Sequence, residues 1–241
     1  MTGLEKLKIL GLIPARGGSK SIPDKNLAPL LGKPLIAYTI EAALKSQRLS
    51  RTIVSTDSQA IADVARESGA ETPFMRPPEL ARDETPALPV IQHAVRHIEE
   101  NEGWRADVAV YLQPTSPLRR AGHIDEAVDL LTGQGADSVV SVMPVPHQFN
   151  PASVLRLEEG RLKPFLAGQD HPLRRQEKPE VWARNGPAVL AATYETIMLR
   201  GELYGPRTLP LFMTPRESID VDDPFDLELA AWLLGHGPEG G

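Results

Sequence analysis

The chain has no cysteine among its 241 residues, which excludes disulfides, thiolate nucleophiles and cysteine-ligated zinc. It also has no apolar run long enough to span a membrane, which takes about 18 residues or more. Its first ten residues, MTGLEKLKIL, carry charges where a secretory signal needs an uninterrupted apolar stretch. Basic residues are not in excess: 26 Lys and Arg against 32 Asp and Glu leave a net charge of −6. Broad attraction to nucleic acid or to an anionic membrane is therefore not expected, and any basic site must be local. Several catalytic signatures are missing as well. There is no Gly-x-Ser-x-Gly elbow and no GxGxxG, and Gly32-Lys33 is followed by Pro34 without the upstream glycine of a Walker A loop. A soluble cytoplasmic protein remains, of a length that suits one large α/β domain or one domain with an elaborate insertion.

What is there alternates. Lys8 to Pro14 (KILGLIP) predicts a strand, and Pro34 opens a helical pattern with Leu35, Ile36, Thr39, Ile40 and Ala43 on one face. Thr52 to Ser58 (TIVSTDS) reads as a second strand, after which Ser58 caps a helix carrying Ile61, Ala62, Val64 and Ala65. A helix around Val90 to Ile98, a strand from Ala106 to Leu112, a helix bearing Ile124, Ala127, Val128 and Leu131, and a strand from Ser138 to Val145 follow. Strands alternating with helices predict an α/β fold, a mostly parallel sheet with helices on both faces. From about Pro146 the rhythm changes, with a hairpin turning at Glu159-Gly160, a polar Arg-rich stretch and the apolar run Ala188 to Thr193. We read residues 1–241 as a single domain with an inserted lobe at about 146–187. A short strand and a helix close the chain (SIDVDDPFDLELAAWLL), with Asp223 capping and Pro224 in the first helical position.

The stretch IPARGGSKSIPDKN, residues 13 to 26, begins at the carboxyl end of the first strand, where open α/β sheets bind ligands. Gly17 and Gly18 let backbone N–H groups approach a ligand, and Arg16, Lys20 and Lys25 match the charge of a triphosphate. Asp220-Val221-Asp222 carries two readings. Alternation along an extended backbone puts both carboxylates on one side, as magnesium requires, but carboxylates are equally favoured at a helix start. The cationic loop and the carboxylate pair together are what metal-assisted transfer of a nucleotide phosphate requires. Gln113, Thr115 and Ser116 in LQPTSPLR either meet a hydroxyl-rich ligand or cap a turn, and RPPELARDET (Arg76 to Thr85) either wraps a base or merely connects. His93 and His97 are spaced for a metal, but HAVRH lacks the zincin glutamate and a third ligand, and a partly exposed helix face explains them better. His147 stands at a strand end and is open to either a pocket or a surface role.

These motifs, with RRQEKPEVWARNG and SIDVDDPFDLELA, resemble in order those of the acylneuraminate cytidylyltransferases, which activate sialic acid and related nonulosonic acids as CMP sugars for cell-surface glycans. The resemblance runs from about Ile9 to Leu234. It implies a Rossmann-like nucleotidyltransferase using CTP, a nonulosonic acid and Mg2+, and a homodimer whose inserted lobe crosses to the partner's sugar site. By position, Ala15, Arg16, Ser19, Lys20, Lys25 and Asn26 fall on the loop that holds CTP, Arg76 near the cytosine, and Gln113 between nucleotide and sugar. Arg16, Lys20 and Lys25 are the implied catalytic cations, and Asp220 and Asp222 the implied metal carboxylates. Arg175, Gln176, Asn185 and Tyr204 fall on stretches that line the sugar acid. The chain departs from sialic acid members at NGPAV (Asn185 to Val189) and Leu203-Tyr204, which leaves the sugar open. Transfer to another acceptor such as Kdo, or a nucleotide-sugar-binding module without turnover, are the alternative readings.

Overall fold

The computed structural model describes residues 7–166, 174, 176 and 178–237. β1 (Ile9–Pro14) sends Ile9 and Ile13 into the core on one face and Leu10 and Leu12 on the other. A strand buried on both faces has no polar side, which is why its sequence is apolar throughout. A small ribbon of β2 (Pro29–Leu30) and β3 (Lys33–Pro34) precedes α1 (Leu35–Leu44). Pro34 is the residue before the helix rather than its first, because it still pairs with Pro29. β4 (Arg51–Ser55) leads to α2 (Gln59–Glu67), whose first turn is capped as expected by the Ser58 hydroxyl accepting from the Ile61 N–H. Then come α3 (Ala87–Glu102), β5 (Val108–Tyr111), α4 (Ala121–Gln134) and β6 (Ser138–Pro144).

β7 (Leu155–Glu158) and β8 (Arg161–Pro164) form the expected hairpin. Its two-residue turn has φ of 51° at Glu159 and 75° at Gly160, the left-handed pair that matches the twist of adjoining strands. β9 (Trp182–Arg184), β10 (Leu190–Thr193), β11 (Thr208–Phe212) and α5 (Pro224–Gly235) complete the chain. The short strand expected before the closing helix is not one: Ser218 lies in a turn and Ile219 to Asp222 carry no strand pairing, and β11 takes the sheet edge instead.

The main sheet runs β11-β6-β10-β5-β1-β4, with β9 also on β6. β1, β4, β5, β6 and β11 point one way; β10 is antiparallel to both β5 and β6, and β9 to β6. Ile36 and Ile40 of α1, Ile61 of α2 and Ile124, Val128 and Leu131 of α4 cover one face, and Ile91, Val95 and Ile98 of α3 cover the other. Each such side chain contributes about 1.5–3 kcal/mol by leaving water. A third cluster joins Ile22 of the cationic loop to Leu30, Leu35, Val221 and Ala230.

Candidate functional site

Two features of the sheet place the site. β1 leads to its neighbour β4, but β4 then leads back across to β5 on the other side of β1, so the loops after β1 and β5 diverge and leave a crevice at their carboxyl ends. The reversed β10 brings the residues before it to that same end. A cavity of about 710 Å³ opens there, lined by Arg16, Ser19, Lys20, Lys25, Asn26, Arg76, Gln113, Asp220 and Asp222 among others. Residues more than 200 apart in sequence meet because Ile22 and Val221 share an apolar cluster beneath them.

Val221 is the hinge pin of this arrangement. Its side chain is fully buried, its N–H donates to the Thr115 carbonyl at 2.8 Å, and its carbonyl accepts from Lys25 Nζ at 2.9 Å. The flanking carboxylates therefore turn out towards the cavity. Lys25 Nζ also lies 3.2 Å from Asp222 Oδ1. Helix capping falls to other residues: Asp223 Oδ1 accepts from the Asp226 N–H at 3.0 Å, and Asp226 Oδ2 from the N–H groups of Asp222 and Asp223. Asp220 and Asp222 are thus free of the cap that was the other reading of their spacing. Asp220 Oδ1 is buried without a hydrogen-bond partner among the described residues. Burial pushes the Asp220 carboxyl up from its ordinary value, against a hydrogen bond from Thr115, and the Asp222 charge adds to the rise.

The cations are engaged within the protein. Arg16 Nη1 lies 2.6 Å from Asp83 Oδ1 and donates to the Gly18 carbonyl at 2.7 Å. Lys20 pairs with the other oxygen of Asp83, which raises the Lys20 ammonium above its ordinary value. The Gly17 N–H, expected to face a ligand, donates to Asp57 Oδ1 at 2.8 Å. Asn26 fastens the loop through Nδ2 to the Arg16 carbonyl at 2.9 Å, while its Oδ1 is buried with no partner. Ala15 lies beneath, wholly buried in the core, with its N–H on the Ser55 carbonyl. Arg76 is buried at the cavity wall, its Nε on Ser55 Oγ at 3.0 Å and Nη2 on the Ser55 carbonyl. Burial lowers its guanidinium from the ordinary value, and Asp57 partly offsets that.

On the β5 side, Arg119 is wholly enclosed and donates from Nη1 to the carbonyls of Gln113 and Ala188, both at 2.9 Å, tying the two loops together. With no carboxylate partner among the described residues, its guanidinium is pushed down to about 9 by burial. Between β9 and β10 the backbone bulges, and Gly186, at φ 117°, presses against the site. A Cβ there would stand 2.8 Å from Gln113 Oε1 and 3.2 Å from Asp220 Oδ2, and the backbone conformation is one that L side chains rarely adopt, so any other residue would be strained.

Of the remaining sugar-side residues, Asn185, Tyr204 and Gln176 are not among those lining this cavity. Asn185 is buried, its Oδ1 accepting from Ser141 Oγ at 2.5 Å and its Nδ2 donating to Ser218 Oγ at 2.8 Å, so its amide is spent on holding the bulge. The Tyr204 ring packs under the Arg184 guanidinium at 5.0 Å. Gln176 is exposed, and Arg175 lies outside the described residues. His147 borders a second cavity of about 330 Å³ with Asn150 and Lys178. His93 and His97 pack on Phe74 at 4.8 and 4.7 Å, and among the described residues no three His, Cys, Asp or Glu side chains cluster to hold a metal. Reading the sequence missed Asp57, Asp83, Tyr111 and Arg119. Asp57 and Asp83 lie in motifs noticed for other residues, while Tyr111 reads as an ordinary strand aromatic.

Residues 10–200 match the cytidylyltransferase family. The chain is 37% identical to the CMP-N,N'-diacetyllegionaminic acid synthase of Legionella pneumophila over 95% of its own length and 97% of that protein's. It is 34% identical to the N-acylneuraminate cytidylyltransferase of Escherichia coli over 93% of its length, spanning 52% of that longer protein. In structure it is similar to a CMP:2-keto-3-deoxy-manno-octonic acid synthetase complexed with CTP, at a TM-score of 0.69 and 17% identity over 95% of this chain and 99% of that one. A 4-diphosphocytidyl-2C-methyl-D-erythritol synthase of Anaerococcus prevotii follows at 0.65 and 10%, over 96% and 100% of the two chains. Both share the Rossmann-like α/β fold read from the sequence. With a family match over most of its length and a relative of nearly equal length at this identity, the chain belongs to the cytidylyltransferase family.

Proposed function

We propose that the protein transfers CMP from CTP to the anomeric hydroxyl of a nonulosonic acid and releases pyrophosphate. The observation that carries this reading is that one cavity is lined both by Arg16, Lys20 and Lys25 and by the Asp220-Asp222 pair, with Lys25 already against Asp222. In-line attack of a sugar hydroxyl on the α-phosphate needs no covalent intermediate, so positioning and charge neutralisation by these cations are the main catalytic effects. Asn26 Oδ1, an acceptor without a partner at the cavity, suits a ribose hydroxyl. Arg76, fixed by Ser55, borders the place for the base.

The residues present fit a magnesium ion. Mg2+ characteristically takes one or two carboxylates and completes its shell with substrate phosphates and water. Asp220 and Asp222 provide that number, and Asp220 Oδ1 has no hydrogen-bond partner among the described residues. When bound, the metal supplies Lewis-acid neutralisation of phosphate charge.

A nonulosonic acid is the preferred acceptor class because the most similar relatives named above make CMP derivatives of such acids. The inserted lobe supports a homodimer. Leu155, Leu157, Leu162 and Phe165 are exposed on or beside the hairpin, with Phe149 and Trp182 also exposed. An isolated two-stranded hairpin with such a surface needs a covering partner, and a second copy of this chain is the partner we propose. No helix among the described residues is long and apolar enough to cross a membrane, and a CTP-consuming reaction suits the cytoplasm. The test is pyrophosphate release from CTP and Mg2+ with N-acetylneuraminate, N,N'-diacetyllegionaminate and Kdo. Release with one of the two nonulosonic acids is expected. Release with Kdo alone overturns the acceptor class, and release with none overturns the reaction.

A further inference from the structure

Asp83 lies on the segment between the short turn Pro78–Leu80 and α3, and its carboxylate bridges the two phosphate-facing cations of the β1 loop. One oxygen is 2.6 Å from Arg16 Nη1 and the other pairs with Lys20 Nζ. Each oxygen thus serves one cation, as two oxygens of a phosphate would. The Lys20 side chain is 84% exposed and Asp83 is its only ion-pair partner within 4 Å among the described residues, with Glu84 adding a weaker attraction, so Asp83 is the main group drawing it over the cavity. A polyphosphate reaching Arg16 and Lys20 meets this carboxylate first, and the two anions cannot share the same donors without repulsion.

We propose that Asp83 is an internal phosphate surrogate, which latches the segment 77–86 onto Arg16 and Lys20 and is exchanged for the polyphosphate of the entering nucleotide. The proposal rests on the reading of this cavity as a CTP site. Three consequences follow from competition for the same cations. The apparent affinity for any phosphate ligand is reduced by the fraction of molecules in which Asp83 is detached. Ligands of high charge displace it more readily than a monophosphate ester, so the latch favours a triphosphate substrate over a CMP-sugar product. The segment carries Arg82 and Thr85, which also line the cavity, so its release changes the wall of the site when the nucleotide arrives.

The test uses inorganic tripolyphosphate and pyrophosphate as probes in titration calorimetry, with and without Mg2+, on the wild type, Asp83→Asn and Asp83→Ala. Both variants are expected to bind tripolyphosphate more tightly, on the order of 10-fold, as two exposed ion pairs allow. The KM for CTP is expected to fall by a similar factor, and pyrophosphate to inhibit more strongly. Equal or weaker tripolyphosphate binding by both variants overturns the proposal. So does a lower melting temperature with unchanged affinity, which would mark Asp83 as a structural anchor only, or a binding loss seen only with Mg2+, which would mark it as a metal ligand. The probe arm needs no turnover. Failure of the latch therefore reads separately from failure of the CTP reading, which shows as no pyrophosphate release by the wild type.

Discussion

The cations of the β1 loop and the carboxylates of the closing segment line one cavity, yet they are held in opposite ways. Arg16 and Lys20 rest on Asp83, Lys25 rests on Asp222, and the Gly17 N–H rests on Asp57. Asp220, by contrast, keeps one oxygen buried and unpaired. A surface cation in water costs little and accepts any nearby carboxylate, so the loop can wait for substrate in a satisfied state. A carboxylate with one oxygen desolvated and unpaired is disfavoured in its charged form, even where, as at Asp220, a hydrogen bond from Thr115 offsets part of that cost. The cost of burial is thus concentrated on Asp220 and small on the cationic loop.

Removing a cation-binding carboxylate should have the largest effect. Asp222→Asn is expected to lower the rate of pyrophosphate release by about 10³-fold, with the fold intact by circular dichroism; an unchanged rate would sink the metal assignment. Next comes the wall between the two sides. Gly186→Ala forces a Cβ against Gln113 and Asp220 at an unfavourable φ, and should cost about 1–3 kcal/mol of stability together with a fall in kcat/KM. A variant as stable and active as the wild type would show that the bulge is not rigid.

The third prediction sharpens the contrast in stability. Asp220 is raised by burial, so its ionisation opposes folding. That cost is absent where the carboxyl is protonated in both states, below the ordinary carboxylate value near 3.8. It grows as pH rises and is complete once pH has passed the raised folded value. In buffer with EDTA at pH 7 to 8, Asp220→Asn should therefore be more stable than the wild type by about 1 kcal/mol, a gain that vanishes towards pH 3. Equal melting temperatures at pH 8 would mean that the Thr115 hydrogen bond fully offsets the burial of Asp220. The smallest expected change in monomer stability is at the lobe. Leu157→Ser on the exposed hairpin should alter it by no more than about 0.5 kcal/mol while weakening self-association in sedimentation; an unaltered dimer would place the interface elsewhere.

Much of this was legible in the chain. The apolar runs of β1, β4 and β5 and the spacing of α1 to α4 follow from local periodicity, and both charged stretches stand out as charge clusters next to turn and cap residues. β10 was not legible as a reversed strand, because AVLAAT has the same composition whichever way it runs. β11 was hidden by Pro210, which a strand tolerates at a sheet edge. Asn185 was read towards the sugar, but the Ser141 and Ser218 hydroxyls that hold its amide are 44 and 33 residues away.

The sequence by itself determined the α/β class, the cationic strand-end loop, the Asp-x-Asp pair and the family, because each depends on residues close in the chain or on their order. Only the tertiary structure decided that Val221 clamps the carboxylates to Lys25 and the β5 loop, that Asp83 occupies Arg16 and Lys20, and that Gly186 fills the gap between Gln113 and Asp220. Those facts depend on which side chains meet after the sheet has folded. That is set by strand order and by the packing of a common apolar floor, neither of which is encoded in any one segment.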